Sequence, residues 1–104
     1  MAEVTRKQVD MHAVVRRYSG QGASELFDEL ARREDDVKAL MTGVPGFVSY
    51  TAIRDGDGGV TTTVCEDKAG TDESSARAAA WVKENVRASV APPAITEGET
   101  VLQF

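Results

Sequence analysis

The 104-residue sequence predicts an α+β domain in which a four-stranded antiparallel sheet carries two helices on one face. Three observations predict it. Between Val44 and Glu66, two runs rich in β-branched and aromatic residues flank the turn Asp-Gly-Asp-Gly-Gly, which is the pattern of a β-hairpin. A run with helical spacing lies on each side of that hairpin. A further strand-like run stands outside each helix, at Met11–Tyr18 and at Ala94–Phe104.

Taken in order, residues 1–10 read as a polar tail, with Glu3, Arg6, Lys7 and Asp10 and almost no apolar run. Met11–Tyr18 alternates as a strand, with Met11, Ala13, Val15 and Arg17 on one face and His12, Val14, Arg16 and Tyr18 on the other. Ser19-Gly20-Gln21-Gly22 breaks it. Ser24 is placed to cap a helix whose first turns hold Glu25, Asp28 and Glu29, suited to the positive end of the helix dipole. Leu26, Leu30, Val37 and Leu40 or Met41 give that helix a buried stripe, the charged run Arg32–Lys38 gives it a solvated face, and Gly43 and Pro45 end it, so one helix is expected over about residues 24–41.

Phe47–Asp55 and Val60–Glu66 form the hairpin strands. In the first of them Phe47, Ser49, Thr51 and Ile53 share a face, opposite Val48, Tyr50, Ala52 and Arg54. Thr71 or Asp72 can cap a second helix with an apolar stripe of Ser75, Ala78, Ala79, Val82 and Val86, Trp81 lying off its centre; the small residues allow close approach to the sheet. Pro92-Pro93 end this segment, and Ala94–Phe104 is the last strand, with a bend near Gly98.

The order strand, helix, strand, strand, helix, strand is the ferredoxin-like βαββαβ arrangement, here over residues 11–104. It leaves one sheet face uncovered, bearing Val and Tyr or Phe side chains, and a face of that kind calls for a partner. A chain this short has a thin core. A homodimer joined through the open sheet face is therefore expected.

Composition narrows the function classes. The formal net charge is −5, which disfavours nucleic acid and anionic membranes. RNA-recognition modules of this element order stack bases on aromatics of the third strand, which here reads Val-Thr-Thr-Thr-Val-Cys. Cys65 is the only cysteine, so no internal disulfide or cysteine-rich metal cage is possible. No signal peptide or membrane span is read, and the expected location is the cytoplasm. Asp55, Asp57 and Glu66 match three positions of a calcium loop, but Val60 stands where that loop needs glycine and strands flank it, so no metal is assigned. Gly20-Gln21-Gly22 lacks the third glycine of a dinucleotide turn and is followed by acidic residues.

The lead-in Pro45-Gly46-Phe47-Val48-Ser49-Tyr50 after an acidic helix, the third strand ending at Glu66, and a second helix leading to a final strand resemble the dimeric α/β-barrel superfamily, in its antibiotic-biosynthesis-monooxygenase-like branch. The resemblance implies two sheets paired face to face in a homodimer, and a ligand pocket between the sheet and the helices of each subunit. It also implies a cofactor-free oxygenase acting on an aromatic or polyketide-like compound. The chain departs from the branch where many members carry a Trp two positions after the strand-three Glu and a His in the second helix. Here Asp67-Lys68 follow Glu66, and the second helix carries Trp81 and Asn85. Haem degradation, which relies on a haem-ligating His in that helix, is not supported residue by residue.

The ligand-pocket candidates are His12, Arg16, Tyr50, Trp81 and Asn85. His12 is the single histidine and the best acid–base group by type. With Arg16 it lines one face of the first strand; the alternative is a histidine that is partly exposed or at the dimer interface. Tyr50 and Trp81 are fit to wall an aromatic pocket or simply to pack. Asn85 can hydrogen-bond a ligand carbonyl or stand as a surface amide. No catalytic set and no cofactor is assigned. The competing reading is a non-catalytic dimeric binding or stress-related domain.

Overall fold

The computed structural model describes residues 11–104; the polar tail expected over residues 1–10 lies outside the described residues. Strands β1 (His12–Tyr18), β2 (Phe47–Asp55), β3 (Gly58–Cys65) and β4 (Ala94–Glu99) form one antiparallel sheet in the order β2-β3-β1-β4. Helices α1 (Ala23–Arg32), α2 (Glu34–Thr42) and α3 (Lys68–Asn85) complete the domain. This is the expected α+β, ferredoxin-like topology.

The first helical segment is two helices rather than one. Arg33, at φ −114° and ψ 42°, leaves the helical region between α1 and α2. The charge sequence explains the break: Glu34, Asp35 and Asp36 occupy the first turn of α2, where a helix dipole favours acids, directly after the basic residue that ends α1. Glu29 accepts from both Arg32 and Arg33, and the hydrogen bond from Arg32 is the larger cause holding its carboxyl below the ordinary range. The cap expected at Ser24 falls instead on Gly22, at φ +80°. A side chain there would collide with the Ser89 carbonyl at 2.2 Å, so the chain needs glycine for both the turn and the approach of the 88–91 loop.

Helix α3 begins earlier than the Thr71 or Asp72 caps expected from the sequence. Asp67 caps it, its carboxylate accepting from the Gly70 amide at 3.0 Å. The residues α3 buries are Gly70, Thr71, Ser74 and Trp81, so Trp81, expected off the centre of the packed stripe, lies within it. Gly70 permits close approach: a Cβ would stand 2.6 Å from the Pro45 carbonyl and 2.7 Å from the Cys65 Cβ.

Strand β2 carries a bulge. Phe47 pairs with Cys65 and Ser49 with Val64, so Val48 is the extra residue. The bulge places Phe47 on the same sheet face as Tyr50, Ala52 and Arg54, where simple alternation put it opposite. That face, with His12, Val14, Arg16 and Tyr18 of β1, is turned to the helices. The far face holds Ala13, Val15, Val60, Thr62, Val64, Thr51 and Ile53. It is therefore a Val and Thr surface, and the tyrosines and Phe47 are on the helix side.

The space between sheet and helices has two halves. Tyr18, Leu26, Phe27, Val37, Met41, Trp81 and Val86 form an apolar core, with the Tyr18 and Phe27 rings edge to face at 6.1 Å. Under the first half of α3 the buried layer is polar instead: His12, Arg16, Thr61, Thr63, Thr71 and Ser74. Among the described residues no buried side-chain polar atom lacks a hydrogen-bond partner. No described helix is long and apolar enough to cross a membrane.

Candidate functional site

Among the described residues, open clefts lie on two sides of the core. The larger, about 720 Å³, lies between β2 and the α1–α2 pair. Phe27, Leu30, Val37, Met41, Phe47 and Tyr50 give it apolar walls, and Glu34, Lys38 and Arg54 stand among its lining residues. Arg54 is held by Asp28 of α1 at 2.8 Å. The break at Arg33 gives α2 a course of its own along β2. The second cleft, about 570 Å³, lies between α3, the 86–93 loop and β4. Between the two, where Tyr50 and Trp81 both contribute, the cavity is only about 20 Å³. The inner core is packed, and ligand-sized space lies to either side of it.

The five residues singled out in the sequence do not meet in one place. Tyr50 lines the larger cleft and Arg16 the second. Burial pushes the Tyr50 phenol up to about 12, so it is neutral at ordinary pH and can donate a hydrogen bond. Trp81 lines the small central void. Asn85 is engaged within the chain: its Oδ1 accepts from Arg33 Nη1 at 3.0 Å and its Nδ2 donates to the Trp81 carbonyl at 3.0 Å.

His12 is buried and lines neither cleft. Its Nδ1 lies 2.7 Å from Thr71 Oγ1. The Thr71 hydroxyl donates its single hydrogen to the Lys68 carbonyl at 3.1 Å, so the ring nitrogen is the donor in the 2.7 Å contact. The network thus assigns the proton to Nδ1.

Arg16 sits within a ring of hydroxyls. Its five N–H groups donate to Ser74, Ser75, Thr61 and Thr63 at 2.7 to 3.3 Å. Burial lowers its pKa, partly offset by the nearby Tyr18 and Tyr50. The sequence signals for this network were an arginine between Val14 and Tyr18 on a buried strand face, threonines two apart at 61 and 63, and paired serines at 74 and 75. None is informative until the fold brings them together. Cys65 is fully buried at the end of β3, and burial raises its thiol pKa. No group of three or more potential metal ligands is present among the described residues.

The topology and the helix-covered sheet face are those of an α+β ferredoxin-like fold that solved monooxygenase structures share. Among solved structures, the chain is similar to NE2512 from Nitrosomonas europaea, a protein of unknown function, at 19% identity and a TM-score of 0.67 over 94% of this chain and 95% of that one. It is similar to SnoaB, a cofactor-independent oxygenase from Streptomyces nogalater, at 22% identity and a TM-score of 0.60 over 91% and 96%. It is also similar to the ActVA-Orf6 monooxygenase from Streptomyces coelicolor, solved with nanaomycin D, at 24% identity and a TM-score of 0.57 over 93% and 92%. These likenesses establish the shared fold. No family model matches the sequence, and no curated protein matches it.

Proposed function

We propose that this chain is a homodimeric, cofactor-independent monooxygenase for a small aromatic or polyketide-like compound, held in the cleft between β2 and the α1–α2 pair. The observation that carries the reading is that cleft itself, about 720 Å³ with apolar walls and the neutral Tyr50 phenol among them. Two oxygenases of the same fold support it. In chemistry of this kind the substrate supplies the electrons. An electron-rich phenolic ring carrying a CH2 group loses a proton, and the carbanion gives one electron to O2. The radical pair joins as a C–O bond, and the resulting peroxide loses water to leave a carbonyl. One oxygen atom enters the product and the other leaves as water, with two hydrogens lost from the CH2 carbon. The chain's part is to hold the ring, exclude water, and present Tyr50 as a hydrogen-bond donor, with Lys38 and Arg54 favouring the deprotonated substrate.

The homodimer would bury the far face of the sheet, where Ile53 is 56% exposed, and the exposed Val101, Leu102 and Phe104 beyond β4. Sedimentation of the protein and of Ile53→Glu tests this part: a dimer that the substitution dissociates is the expected result.

Oxygen uptake with 1,8-dihydroxyanthrone, corrected for its spontaneous oxidation, tests the activity. The expected result is a protein-dependent rate that Ala52→Trp, which fills the cleft, removes. The competing reading, a binding domain without chemistry, rests on the engagement of His12 by Thr71 and of Asn85 by Arg33. Binding of the anthrone with no added oxygen uptake would favour it.

A further inference from the structure

Arg16 is 2% exposed, and every acceptor around its guanidinium is a neutral hydroxyl. Arginine keeps its charge throughout the pH range in which proteins fold, so this is a buried cation. A buried cation without a counter-charge is costly even when its hydrogen bonds are complete. Among the described residues, Glu97 of the exposed strand β4 is the carboxylate whose field reaches it, and Glu97 forms no ion pair with it.

The hydroxyls around Arg16 are not equivalent. Ser74 passes its own hydrogen to the Thr71 carbonyl at 2.7 Å, which closes that branch. The Ser75 oxygen accepts twice from Arg16, at 3.1 and 3.3 Å, and its hydrogen has no acceptor among the described residues. Ser75 is half-buried and shares the wall of the second cleft, about 570 Å³, with Arg16. Val82, Val86 and Ile95 give this cleft an apolar side, and the exposed Lys83 and Arg87 add positive charge at its edge.

We propose that this second cleft binds an organic carboxylate, which accepts the Ser75 hydroxyl hydrogen bond over the charge of Arg16 while its apolar body lies along Val82, Val86 and Ile95. A hydroxyl that accepts from a guanidinium is polarised toward donation, so Ser75 transmits the buried charge to the cleft surface. One buried positive charge matches one negative charge. The apolar side favours an anion with a hydrocarbon body over a small hydrated ion. The packed layer at Tyr50 and Trp81 separates this site from the β2 cleft, so the inference stands whatever is bound there.

Calorimetric titration of the full chain with 2-naphthoate and with its neutral analogue 2-naphthamide tests the site. The expected result is at least tenfold tighter binding of the carboxylate. Ser75→Ala should remove most of that preference and Ser75→Thr restore it. Ala79→Trp, which fills this cleft, should abolish binding of both probes, and Ala52→Trp in the other cleft should change neither. Should Ser75→Ala fail to fold, the Lys83→Gln/Arg87→Gln double variant carries the test, with at least fivefold weaker naphthoate binding at low salt and unchanged amide binding. Equal affinity for the two probes, no naphthoate binding at millimolar concentration, loss of binding in Ala52→Trp alone, or indifference to the Ser75 or edge substitutions would overturn the proposal.

Discussion

Arg33 and Asn85 join the break between α1 and α2 to the end of α3, with Arg33 Nη1 donating to Asn85 Oδ1 at 3.0 Å across 52 residues of sequence. Asn85 is fixed in turn by its own bond to the Trp81 carbonyl. The pair sets how α2 leaves α1, and so shapes one wall of the β2 cleft. Asn85→Ala should destabilise the protein by about 0.5–1.5 kcal/mol, the range for a net hydrogen bond. Urea unfolding monitored by Trp81 fluorescence reads this directly. An unchanged midpoint would reduce the pair to a surface contact.

His12 ties β1 to the first turn of α3 through Thr71. Removing the ring leaves a void in the polar layer and breaks that tie. His12→Ala should lower stability by about 1–3 kcal/mol, while oxygen uptake per folded molecule stays at the parent level. A collapse of uptake with unchanged stability would make His12 a chemical participant.

The tyrosines give the molecule an alkaline limit. Burial raises the pKa of Tyr18, and it raises that of Tyr50 to about 12. Unfolded, each would ionise near its ordinary value of 10.0. The folded state therefore holds protons that the unfolded state releases above pH 10. The corresponding stability is complete below pH 10 and is lost as pH rises toward 12. Tyrosinate absorbance near 295 nm should lag behind that of free tyrosine, and urea midpoints should fall across the same interval. A normal titration near pH 10 in the folded protein would contradict this.

The contact between α3 and the hairpin leaves no room at Gly70. Gly70→Ala should cost about 1–3 kcal/mol, as overpacking does, despite alanine's better helix propensity. Thermal unfolding measures it, and a more stable variant would show that Pro45 and α3 separate easily.

Cys65 is enclosed at the same contact. Its thiol should react with a disulfide reagent at the rate of global opening in native buffer and immediately in denaturant. A fast native reaction would mean that the Gly70–Cys65 contact opens locally.

The topology was legible because the hairpin and the helical runs each agree with it locally, as glycine-rich turns and apolar spacing do in most small domains. The break at Arg33 was written in the charges, but the apolar spacing of Leu26, Leu30, Val37 and Leu40 continues through it and concealed it. Trp81 stood off the centre of the expected stripe because the alanines and serines of α3 form a stripe of their own; the structure buries Thr71 and Ser74 for their hydroxyls as much as for their size. The candidate site was less legible than the fold. His12 and Arg16 were read from residue type, and type does not tell that Thr71 occupies one and four hydroxyls surround the other. Those partners lie 45 to 59 residues away in the chain.

The bulge at Val48 sets the phase of β2. Residues after it keep one parity and Phe47 before it takes the other, so mutagenesis aimed at the cleft should vary Phe47, Tyr50, Ala52 and Arg54 together. A library built on every second residue from Phe47 would spend most of its diversity on the far side of the sheet. Deleting Val48 would restore regular alternation, leaving Phe47 opposite Cys65 on the helix side, and would shorten the path between Pro45 and the hairpin. Sequence comparisons face the same frame shift, since a relative without the extra residue matches this strand only when a gap is allowed at that point.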